Sequence, residues 1–117
     1  PEDEESKRLT FSQAATGAAG IETFLSLALE LFHNGSVKLE KIIEVITHNP
    51  SKILNINKGN LSIGNDADFC IVDINKPWIV KKENLMSKSK NTSVEGRKLQ
   101  GKVLSTYVNG KELYKIK

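Results

Sequence analysis

Two imidazoles, one thiol and a group of three carboxylates are the side chains in this sequence whose types could do chemistry, and their spacing limits how far that goes. His33 and His48 each fall at the end of a predicted helix, where an imidazole commonly meets the last carbonyls, so both are read as caps rather than metal ligands. Asp66, Asp68 and Asp73 flank an apolar run and would suit a cation by charge. No glycine-punctuated calcium-loop spacing accompanies them, and Asp66 and Asp68 are read as partners of turn amides ahead of a strand. Cys70 lies inside FCIV and is expected to be a small buried hydrophobe, not a nucleophile. Glu22 and Thr23 open a helix, where the dipole favours a carboxylate that needs no catalytic role. No catalytic residue and no metal-ligand set is assigned on this reading.

A different kind of site is suggested by AATGAAG at 14–20, a run with almost no side chain, which lets another group approach the main chain closely. The elements around it follow from periodicity. Ile21, Phe24, Leu25, Ala28, Leu31 and Phe32 recur at helical spacing, Leu27 and Leu29 broaden the stripe, and Asn34-Gly35 supplies a stop. Ser36 is the expected N-cap of a second helix with Leu39, Ile42, Ile43 and Ile46 on one face. Asn49-Pro50 is read as the start of a short third helix carrying Ile53 and Leu54. Past Asn55 the period shortens to 2 between glycine and proline breaks, predicting strands near 60–63, 67–74, 102–109 and 111–115. Asn109-Gly110 between LSTYV and ELY signals a type I′ hairpin. Residues 81–98 read as a long loop with one helical turn at 82–87, and the opening PEDEESKR as a solvent-facing segment.

Composition narrows the class. With 117 residues, 38% hydrophobic and 26% charged, the chain is within the globular range and about one domain long. The net charge of +3 conceals a division: residues 1–75 carry 6 basic and 11 acidic groups, residues 76–117 carry 11 basic and 3 acidic. The basic half lacks interleaved aromatics, so its lysines are read as a solvated surface and no nucleic-acid partner is assigned. No apolar run approaches the ~20 residues of a membrane span, and a reducing cytoplasm is the expected compartment. The few large apolar residues of the second half cannot close a core on four short strands, so a further sheet or helices should cover them.

The order of NPSKILNI, KGNLSIGNDADFCIVD and GKVLSTYVNGKELY resembles the end of an amidohydrolase-superfamily enzyme. Within that superfamily, AATGAAGIET at 14–23 and SKSKNTSVEG at 87–96 resemble class I dihydroorotase, whose corresponding runs are roughly APxGxxGLET and SKxxNTPFxG. The match departs from the pattern at Ala15, Ile21, Ser93 and Val94. The resemblance implies an α/β enzyme, with residues 1–54 as the last helices and a loop of a (β/α)8 barrel and 55–117 as strands of a small composite β-sandwich domain. Taken alone, such a piece would look α+β.

It further implies a zinc enzyme that interconverts N-carbamoyl-L-aspartate and L-dihydroorotate in pyrimidine biosynthesis. The zinc ligands and the proton-transferring aspartate would lie upstream of this chain, so the 117 residues by themselves are expected to be inactive. Thr16 and Gly17 stand where the family touches the pyrimidine ring through backbone groups, and are the substrate-binding candidates. The remaining expectations concern the whole protein. One alternative is another cyclic amidase of the dihydropyrimidinase or allantoinase kind. The other is a non-catalytic, dihydroorotase-like subunit that partners aspartate transcarbamoylase. The expected partners are the upstream barrel portion, a small-molecule substrate, and either a second copy or aspartate transcarbamoylase.

Overall fold

A computed structural model describes residues 5–116. Of the opening acidic segment, residues 1–4 lie outside the described residues, and Glu5–Lys7 form a single 3-10 turn. Three helices then precede three strands.

Helix α1, Phe24–His33, carries four leucines with Ala28 and Glu30, all strong helix formers, and ends where the sequence expects. The Asn34 amide donates to the Glu30 carbonyl and the Gly35 amide to that of Phe32, which satisfies two of the final-turn acceptors. Helix α2 is Leu39–Ile46, with Ile42 at 4% exposure on its buried face. Helix α3, His48–Ile53, follows after Thr47 alone, and Pro50 sits in its first turn, where the missing N–H is not needed. Strands β1 (Phe69–Ile79), β2 (Lys98–Val108) and β3 (Lys111–Lys115) form one antiparallel sheet in the order β1-β2-β3. Asn109 and Gly110 join β2 to β3 with φ of 49° and 73°, the left-handed pair that a type I′ turn demands. A stacked Phe69–Tyr107 pair, with centroids 4.7 Å apart, fixes the register at the same end of β1 and β2.

The helical and sheet halves meet at Gly101. Here the β1–β2 register slips between Asp73 and Pro77, and Gly101, at φ +100°, turns its backbone toward α1. Its carbonyl accepts a bond from Ser26 Oγ at 2.6 Å and another from Trp78 Nε1 at 3.1 Å. Leu29, fully buried, fills the space where a Gly101 side chain would be. Beyond this point Val80, Val94 and Leu99 make a small core, with Leu27 and Trp78 packed against it.

Several expectations are corrected. Ser36 caps no helix: its amide donates to Asn34 Oδ1, and α2 starts three residues later from Lys38, so the Asn34 side chain takes the turn. The third helix begins at His48 rather than after an Asn49 cap, which makes His48 its first residue and not the end of α2. Residues 60–63 form no strand; Asn60 Oδ1 accepts the Ser62 amide in a local turn that competes with pairing. β1 runs five residues past the expected end, through Pro77, and β2 begins four residues early. Proline is tolerated because β1 pairs on one side only and is irregular there. Ile21 is 95% exposed and Phe24 and Leu31 are also exposed, whereas Ser26 and Leu29 face inward. The α1 stripe was broad enough that periodicity alone did not select the buried side. Cys70 is exposed, because it lies on an edge strand whose neighbours Phe69 and Ile71 are themselves uncovered. Among the described residues the architecture is thus helices beside an antiparallel sheet, an α+β arrangement 52 × 31 × 30 Å in extent.

Candidate functional site

The segment from Ala14 to Thr23 has no regular structure, yet it is tied at several points. At its start the Ala15 amide donates to the Ser6 carbonyl at 3.0 Å, and Lys7 Nζ donates to the Ala15 carbonyl at 2.8 Å. At its end Thr23, buried at the N-cap of α1, donates its hydroxyl to the Gly20 carbonyl. Between these ties Thr16 and Gly17 are exposed. Gly17 has φ +88°, and a Cβ built on it would meet nothing within 4 Å. The backbone at Thr16-Gly17 is therefore accessible and held in a conformation that most side chains avoid.

The other wall is the loop at 85–91. The Ala19 amide donates to the Asn91 carbonyl at 2.7 Å. The Glu22 carboxylate accepts the Met86 amide on Oε2 and the Ser87 amide on Oε1, each at 3.0 Å. A cleft of about 410 Å³ lies between the walls, lined by Ala18 to Thr23 on one side and Leu85, Met86 and Ser87 on the other. Thr16 and Gly17 do not line it. Lys90 Nζ donates to the Leu85 carbonyl, and Asn91 Nδ2 is buried with no acceptor among the described residues. Nearby, Lys102 Nζ sits 3.7 Å over the Trp78 ring. Burial pushes its ammonium below the usual lysine value, Glu22 opposes that shift and Lys76 adds to it.

His33 and the three aspartates have structural partners. His33 Nε2 lies 3.0 Å from the Ile74 carbonyl, so as a donor it ties the end of α1 to β1 rather than to its own last turn. Lys58 Nζ reaches Asp66 at 2.7 Å and Asp68 at 2.5 Å, while Asp68 Oδ1 also accepts the Asn109 amide of the hairpin turn. Asp73 accepts the Asn75 amide. Among the described residues no group of three or more His, Cys, Asp or Glu could hold a metal ion, and no helix is long and apolar enough to cross a membrane. Sequence reasoning assigned Glu22 only to the helix dipole. Its link to residues 64 and 65 positions away has no local signal, although both walls stood out as motifs.

The Lys58 clamp has a pH signature. Hydrogen bonds from Lys58 and from the Asn109 amide hold the Asp68 carboxyl below the usual value of 3.8. The bonds that Lys58 donates to Asp66 and Asp68 raise its ammonium above 10.5. The Asp68 contribution is complete above the unfolded carboxyl value and is lost as pH falls through the lower folded one. The Lys58 contribution is complete below 10.5 and is lost as pH rises through the higher folded one. Asp68→Asn should therefore lower the melting temperature at pH 7, with the gap to the parent closing as the pH is taken toward 3. A gap independent of pH would show that ionisation of Asp68 contributes nothing.

Comparison with known proteins gives this geometry a family. Residues 8–113 match the model described as "Amidohydrolase family". The chain is 41% identical over all 117 residues to a dihydroorotase of Wolbachia sp. subsp. Drosophila simulans (strain wRi), of which it covers 26%. It is 44% identical over 102 residues to a dihydroorotase of Aquifex aeolicus (strain VF5), covering 87% of this chain and 24% of that one. The solved L-hydantoinase (dihydropyrimidinase) from Arthrobacter aurescens superposes with a TM-score of 0.84 at 31% identity, over 89% of this chain and 24% of that one. The chain thus spans about a quarter of the length of these relatives. With the match running from just after the first turn to the middle of the last strand, the chain belongs to the amidohydrolase family.

Proposed function

We propose that these residues are the C-terminal part of a dihydroorotase, the cyclic amidohydrolase that interconverts N-carbamoyl-L-aspartate and L-dihydroorotate in pyrimidine synthesis. The observation that carries the reading is identity of about 40% to dihydroorotases across the whole chain, against 31% to the hydantoinase structure. The geometry supports it as well. The two runs that resemble dihydroorotase, AATGAAGIET and SKSKNTSVEG, lie far apart in sequence and bond directly to each other through Ala19 and Asn91 and through Glu22 and Ser87. On this reading residues 1–54 close a (β/α)8 barrel, and 55–117 contribute to a β-sandwich domain completed by upstream strands. The exposed apolar side chains of α1 and the sheet would face those parts.

Within such an enzyme Thr16 and Gly17 border the substrate ring. The open backbone there offers amide and carbonyl groups to a cyclic ureide without interference from a side chain. Zinc would supply activation of the attacking water in dihydroorotase chemistry. Among the described residues no group of three or more His, Cys, Asp or Glu could hold that ion, and on this reading its ligands lie in the remainder of the enzyme. The proposed compartment is the cytoplasm, and a second copy or aspartate transcarbamoylase is the proposed macromolecular partner. The likeness to the hydantoinase favours a second reading, a dihydropyrimidinase-type cyclic amidase.

The test uses the whole protein, with zinc content, N-carbamoyl-L-aspartate cyclisation and dihydrouracil opening measured on one preparation. Zinc with cyclisation is the expected result. Opening of dihydrouracil without cyclisation would favour the second reading. A metal-free protein inactive on both would point to a non-catalytic subunit.

A further inference from the structure

From the bonds across the 85–91 loop we infer that Glu22 is a positioning residue, which holds the 14–20 backbone at the height the substrate requires. The inference rests on Thr16 and Gly17 bordering that substrate. Thr16 and Gly17 touch little of the chain themselves: a Cβ on Gly17 would have open space around it. Their placement must therefore come from ties on either side. The N-terminal tie is the pair of bonds at Ala15, to the 3-10 turn that opens the described chain. The C-terminal tie is stiffer. Glu22 takes one backbone amide on each carboxylate oxygen, and Ala19 adds a third bond to the same loop. A carboxylate that accepts two adjacent amides cannot rotate without losing both, so the pair fixes direction as well as distance. The opposing loop is itself anchored, because Leu85 is buried and its carbonyl takes the Lys90 ammonium.

Glu22 thus connects the ligand-facing loop to the 85–91 loop between β1 and β2. Glu22→Ala removes both bonds. Glu22→Gln keeps one carbonyl acceptor but turns an NH2 toward a backbone N–H, so one bond is lost and the other remains.

The experiment measures kcat and KM for N-carbamoyl-L-aspartate in the whole protein, with melting temperature and zinc content alongside. Glu22→Ala should raise KM about tenfold and Glu22→Gln about threefold, with kcat within about threefold of the parent and zinc unchanged. A graded rise in KM is what loss of loop placement produces; a brace that serves only stability would lower the melting temperature and leave KM alone. That second pattern, in either variant, overturns the inference. Glu22→Gln has the shape of the original and carries the test if Glu22→Ala does not fold. Gly17→Val is measured in parallel. An effect at Gly17 with none at Glu22 overturns the positioning role alone, and no effect at either overturns the placement of the loop as well.

Discussion

Exchanging Gly101 for alanine is expected to destabilise the protein by about 3 kcal/mol, from overpacking and backbone strain together. The new Cβ would stand well inside van der Waals contact with Leu29 Cδ1. Leu29 is 0% exposed and its methyl has no solvent to swing into. The backbone cannot yield either, because the Gly101 carbonyl is held by Ser26 Oγ and Trp78 Nε1, which bond to each other at 3.1 Å. Added to this is φ +100°, a conformation that any L side chain disfavours. A urea midpoint lowered in Gly101→Ala, and partly restored when Leu29→Ala is combined with it, would establish the clash as the cause. Strictly additive losses would mean that the two residues do not compete for the same space.

Gly17→Val should have the opposite profile, with kcat/KM down by about a hundredfold and the melting temperature little changed. Both glycines have positive φ, but Gly17 has nothing within 4 Å of its missing Cβ. Valine is excluded from φ +88° by its branched side chain, so the loop must take another path, while no buried contact is lost with it. The damage then falls on whatever the loop faces. Thr16→Ala is the matched control and should be close to neutral, since a backbone contact is indifferent to the side chain that carries it. Steady-state kinetics with zinc analysis decides the matter: unchanged turnover in Gly17→Val, at full metal content, would take Thr16 and Gly17 out of the site.

The contrast between these glycines also marks what the sequence could and could not disclose. Asn109-Gly110 and Asn34-Gly35 were legible because the turn and the helix stop are local, set by two residues each. The third strand was legible for the same reason. The bulge at Gly101 was not: the glycine looked like a strand boundary, whereas α1, some 75 residues earlier, requires it inside a longer strand. Cys70, expected as a small buried hydrophobe, and Ile21, on the apolar stripe leading into α1, are both exposed, because hydrophobicity alone does not select which side of an edge strand or of a broad stripe is covered. Ser36 illustrates local competition: the Asn34 side chain accepts its amide in a turn of its own, and α2 starts later, at Leu39, without a side-chain cap. At the candidate site the small-residue loop was visible in composition alone. The tie through Glu22 was not, because a hydrogen bond across 64 positions leaves no periodic trace.

The two Asn-Gly pairs have a further consequence, on the timescale of ageing. In that dipeptide the glycine amide nitrogen can attack the asparagine side chain, expel ammonia and leave a succinimide that opens mainly to isoaspartate, with an extra carbon in the main chain. Both nucleophiles are occupied in this fold: the Gly35 amide donates to Phe32 and the Gly110 amide to Ala67, at 2.9 and 3.0 Å. A nitrogen whose proton is held by a carbonyl, in a turn that keeps the side chain from closing on it, reacts slowly. The same hairpin that aligns β2 and β3 therefore preserves the covalent identity of Asn109, and the conversion of that residue to isoaspartate would serve as a chemical record of how long the chain has spent unfolded.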